Sequence, residues 1–93
     1  MTKKLKPIQS IYLELVHEYF KSNQKCDLGL SRTFDDELII EFLHYHDHYK
    51  TNNKLIQIFE SKPESHKRLK NLVIEVMRGQ RKIKKEPNNE FNY

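Results

Sequence analysis

The chain is 93 residues long with a net charge of +4, and 37% of its residues are hydrophobic, 32% charged, one a cysteine and none Trp. That length bounds it to one domain with a thin core, and the composition excludes a disordered tract as a description of its middle. The lone Cys26 excludes an internal disulfide and a thiolate metal centre, no stretch has the length and apolarity of a membrane-spanning helix, and the simplest setting is a reducing, cytoplasmic one.

Taken in chain order, Pro7 suits a first helical turn, and Ile8, Ile11, Tyr12, Leu15, Val16 and Tyr19 recur at three-and-four spacing, which predicts a helix over 7–21 with Glu14 and His17 on its wet side. Residues 22–32 are polar, contain Gly29 and lack a sustained period, so they read as a loop from which Leu28 and Leu30 dip toward the core. Thr33 followed by Asp36 resembles a capping box, and the stripe Phe34, Leu38, Phe42, Tyr45 and Tyr49, widened by Ile39, predicts a second helix over 34–49. Ile40 and Leu43 fall off that stripe, which makes this helix either central or part of an interface. Leu55, Ile56, Ile58 and Phe59 predict a short third helix. Pro63 opens a fourth with the stripe Leu69, Leu72, Val73, Val76 and Met77, Ile74 off its face and Gly79 as C-cap. The expected fold is all-α: a small bundle of about four helices forming a single domain over 1–86, with a basic, partly disordered C-terminal end and a flexible tail over 87–93.

Charge is sorted along the chain. Residues 33–49 hold five acids, three histidines and no Lys or Arg, whereas residues 65–93 hold eight Lys or Arg against Glu75, Glu86 and Glu90. Within the acidic segment Glu41, His44 and His48 fall on one side of the expected helix, a spacing that can hold a divalent metal; it lacks a fourth ligand, so no metal is assigned. Two Glu-x-x-His pairs, Glu14 with His17 and Glu41 with His44, match the spacing of di-iron bundles but read as unrelated surface pairs. The neighbouring acids and a helix C-terminus would favour the charged form of His44, His46 and His48, which makes the cluster a candidate pH sensor.

Catalysis finds no constellation: Cys26 has no base in sequence context, and the two glycines are isolated, so no phosphate-cradling loop exists. The reading is a non-enzymatic regulatory or adaptor module with no cofactor and no small-molecule substrate, acting through a protein partner or self-association. Ile39, Ile40, Leu43 and Ile74 are its candidate interface, and Lys67, Lys70, Arg78, Arg81, Lys82, Lys84 and Lys85 its candidate contact for an acidic partner or polyanion. The alternative is a DNA- or RNA-binding regulator that uses the same cations on phosphates. Pairing of these cations with acids elsewhere in the chain is the competing structural explanation. In size, basicity and expected helix count the chain also resembles the small cytosolic immunity proteins of bacteriocin producers, which implies a helical bundle with a specificity-bearing tail; the likeness is architectural and assigns no residue.

Overall fold

In the computed structural model, which describes residues 4–83, Pro7 stands at the first position of helix α1 (Pro7–Lys21), where its missing N–H costs nothing. Gln9 Oε1 accepts the Lys6 N–H at 2.8 Å, satisfying a donor at the helix entry. Ile8 and Leu15 are buried, and Ile11, Tyr12 and Tyr19 pack beside them. This helix has the bounds that its periodicity predicts.

The next forty residues overturn the all-α bundle. The expected loop supplies strand β1 (Cys26–Arg32), the expected second helix is a hairpin turn followed by β2 (Leu38–Tyr45), and the expected third helix is β3 (Asn53–Phe59). The strands form an antiparallel sheet of order β1-β2-β3, with Leu28 opposite Phe42 and Phe42 opposite Ile56. Leu38, Phe42 and Tyr45 satisfy a helical spacing, but Leu38, Ile40, Phe42 and His44 also satisfy a period of two, and all four are buried. β-branched and aromatic side chains tip such a segment toward a strand. The apolar residues that a helix would leave off its stripe, Ile40 and Leu43, fall on opposite faces of the strand.

Turn chemistry agrees with the strands. Asp36 N–H donates to Thr33 O at 2.9 Å and Thr33 N–H to Glu37 O at 2.8 Å, and Asp36 has a φ of 70°. This is a three-residue hairpin loop with its last residue in the left-handed region. Thr33, which a capping box would use at a helix start, instead accepts the Glu37 N–H on Oγ1 at 3.0 Å and closes the hairpin.

A 3-10 turn (Pro63–Ser65) leads into α2 (His66–Met77), the other predicted helix. Gly79, at φ 75°, sends its N–H to Val76 O, and Gln80 N–H reaches Glu75 O at 2.9 Å, a Schellman motif that closes the helix where a glycine was expected to. A Cβ on Gly79 would approach Gln24 Nε2 to 3.0 Å, so both backbone and space favour glycine there.

The two helices pack against each other on one face of the sheet, α1 over β1 and β2, α2 over β3. Between the layers lie Leu15, Ile40, Phe42, Ile56, Ile58, Val73 and Val76, all fully buried. The architecture is therefore a two-layer α/β sandwich with α-β-β-β-α element order. The expectations for Lys84, Lys85 and the 87–93 tail lie outside the described residues.

Candidate interaction surface

Helix α1 divides into three sides. Ile8 and Leu15 enter the core, while Glu14 and Glu18 face α2, where Lys70 Nζ lies 3.3 Å from Glu14 and Arg78 binds both oxygens of Glu18 at 2.9 and 3.1 Å. The remaining side carries Leu13, Val16 and Phe20, at i, i+3 and i+7. Leu13 is 56% and Phe20 78% exposed, values at odds with their hydrophobicity. Tyr19 Oη donates to Cys26 O at 3.4 Å, which ties the end of α1 to the start of β1. At the other end, Leu5, Lys6 and Gln9 share a shallow cleft with Arg32 and Leu38. The helix thus runs antiparallel to β1, a strand whose Leu30 is exposed. β1 is also an edge strand. Its pairs Lys25 with Tyr45 and Thr33 with Glu37 are hydrogen bonded, so the alternation of an antiparallel ladder turns the backbone of Leu28 and Leu30 toward the free edge. Leu13, Phe20 and the β1 edge were not among the candidate residues; the i, i+7 spacing of Leu13 and Phe20 was the signal available.

The interface expected from sequence is dispersed. Ile40 is fully buried between the layers and Ile74 packs on the core margin, so neither is offered to a partner. Ile39, itself buried, and the half-buried Leu43 share the outer sheet face with Glu41, Tyr45, Leu55, Gln57 and Phe59. Polar pairing interrupts that face: Gln57 Nε2 donates to Glu41 Oε2 at 3.0 Å, and Tyr45 Oη to Asp27 Oδ2 at 2.8 Å.

Three of the candidate cations are engaged within the chain. Lys70 and Arg78 pair with α1 as described, and Arg81 Nη1 lies 3.2 Å from Glu75. Their acids come from α1 and α2, not from the acidic segment 33–49. Lys67 and Lys82 form no ion pair among the described residues.

The histidines part company. His44 lies on the core face of β2 and is 1% exposed, Glu41 projects from the opposite face, and His48 sits in the exposed turn beyond the strand. No group of three or more His, Cys, Asp or Glu among the described residues is arranged to hold a metal. His44 Nε2 lies 3.0 Å from Gln24 Oε1, and Nδ1 lies 2.7 Å from Tyr49 Oη. Gln24 Nε2 donates to Asn23 Oδ1, which orients the amide oxygen toward the ring. A neutral His44 with its proton on Nε2 and the Tyr49 O–H donating to Nδ1 satisfies both contacts. Burial holds its pKa below the ordinary imidazole value, assisted by His46 and Lys82, the reverse of the direction the acidic neighbourhood suggests. Cys26 is buried too, and desolvation pushes its thiol up.

No family model, curated protein or solved structure matches the chain. Among the described residues no helix is long and apolar enough to cross a membrane.

Proposed function

We propose that the chain is a non-enzymatic binding module that engages a protein partner, or a second copy of itself, through the outer side of α1 and the adjoining edge of β1. The observation that carries this reading is the concentration of exposed apolar side chains there: Leu5, Leu13, Phe20 and Leu30, four of the five large hydrophobics most open to water among the described residues. Exposed apolar side chains on one helix side, beside unpaired strand backbone, are the chemistry of a protein contact. The high thiol pKa of Cys26 disfavours the thiolate and supports a non-enzymatic role. A reducing, cytoplasmic setting suits a lone free cysteine.

A photo-crosslinker placed at Phe20 should capture protein, whereas one at the exposed Thr51 should not. The double variant Leu13→Lys with Phe20→Glu should abolish capture and self-association, and move stability by less than about 1 kcal/mol because both side chains already meet water. Capture that is equal at positions 20 and 51, or that survives the double variant, refutes the assignment of this surface.

Polyanion binding is the second reading, favoured by Lys67 on the exposed first turn of α2, where the helix dipole is positive, and by Lys82. The internal pairing of Lys70, Arg78 and Arg81 leaves it fewer cations than the sequence suggests.

A further inference from the structure

The segment after α2 is tied to the sheet through Ile83, by its buried side chain and a hydrogen-bond chain. Ile83 N–H donates to Tyr49 Oη at 2.8 Å; with His44 neutral and protonated on Nε2, Tyr49 O–H donates to its Nδ1 at 2.7 Å and its Nε2–H donates to Gln24 Oε1 at 3.0 Å. Ile83 and Tyr49 are buried at 3% and 6%, and the Tyr49 ring stands edge-on to the imidazole with centroids 5.5 Å apart. The chain has a direction, and only a neutral, Nε2-protonated His44 sustains it. A proton on Nδ1 would face the Tyr49 hydroxyl hydrogen. Tyr49 would then have to turn its O–H away and accept from both His44 and Ile83, leaving a buried donor without a partner.

We propose that His44 is a proton-operated latch: neutral, it pins Ile83 and with it Lys82 onto the end of the sheet, and protonated, it releases them. Charge around the ring comes from every side. Cys26 stands opposite His44 on β1 and Lys54 on β3, His46 lies 6.0 Å away centroid to centroid in the turn after β2, and Lys82 comes from the segment being held. Burial first, then the neighbouring His46 and Lys82, oppose the imidazolium, and no carboxylate is in register with it. Stability tied to the neutral ring is thus full above the ordinary value of 6.5 and is lost as pH falls through the lowered folded-state pKa. Release of Ile83 frees Lys82 from the end of the sheet and leaves Arg81 tied to α2 through Glu75, so acidification would loosen this basic stretch.

The test is NMR on the whole chain, following the His44 ring resonances and the hydrogen-exchange protection of the Ile83 amide from about pH 7.5 to 5. The expected result is a His44 midpoint below 6.5 and a fall of at least roughly tenfold in Ile83 protection at that same midpoint, while the Ile56 and Ile58 amides of β3 keep theirs. Tyr49→Phe, which removes the acceptor of the Ile83 N–H, should leave that amide unprotected at every pH and erase the step. Ile83 staying protected through the His44 transition overturns the latch. So does loss of protection in β3 together with Ile83, which would make the event global unfolding. Should Tyr49→Phe fail to fold, the wild-type titration decides alone.

Discussion

Glu18 is buried on a helix side that would otherwise be wet, and both its oxygens are occupied by one guanidinium, so its charge belongs to the pairing with Arg78. The hydrogen bond from Arg78, more than any other influence, holds the Glu18 pKa below the ordinary 4.5. A lowered carboxylate pKa contributes stability that is complete above 4.5 and lost as pH falls through the folded-state value. Urea midpoints measured against pH should therefore decline below pH 4.5. Glu18→Gln should start from a lower midpoint at pH 7 and decline less steeply. An unchanged slope in that variant would transfer the acid sensitivity to Glu37 and Glu60, which are lowered by hydrogen bonds from Ser61 and from the Leu38 N–H respectively. At this scale the sequence is partly legible: the spacing puts Glu14 on an uncovered side of α1, but nothing in it says that Lys70 and Arg78 would arrive there, because residues 56 and 60 positions apart meet only when the two helices share a sheet face.

Among the elements, the decisive ambiguity is β2. Leu38, Phe42 and Tyr45 fit a helix and Leu38, Ile40, Phe42 and His44 fit a strand, so the same letters support two periods. Adjacent substitutions separate them. Phe42→Ala, at a fully buried position between the layers, should cost about 3–5 kcal/mol, whereas Leu43→Ala, half-buried on the outer face, should cost roughly 1 kcal/mol. Chemical denaturation of both variants measures this, and equal losses would contradict the alternation of faces. β1 was illegible for a different reason: Gly29, Asp27 and Ser31 depress strand propensity, and the strand is held by pairing with β2 along its whole length rather than by its own composition. The helices α1 and α2 were legible because three-and-four spacing coincides with a local signal in each, proline entry in α1 and glycine exit in α2.

For the whole molecule, the sorting of charge along the chain does not survive folding as two opposed surfaces. Among the described residues, Lys70, Arg78 and Arg81 of the C-terminal third pair with acids of α1 and of α2 itself, which leaves fewer cations for an outside partner. Duplex DNA and RNA should accordingly bind weakly at about 50 mM salt and not at about 200 mM. Neutralising Lys67, Lys82, Lys84 and Lys85 should remove that residual binding without lowering Tm, whereas Arg78→Ala should lower Tm. A steep salt slope that persists in the four-site variant would count against this division of the cations, as fluorescence anisotropy across a salt series would show. By itself the sequence determined the two helices, with the proline entry of α1 and the glycine exit of α2, the single cysteine and the excess of positive charge toward the C-terminus, since each depends on residues within a few turns of one another or on a simple count. Only the tertiary structure decided that 26–59 is a sheet, that His44 is buried, and which lysines and arginines are already spoken for. Those outcomes depend on a helix layer that buries one face of the strands and brings together groups distant in the chain.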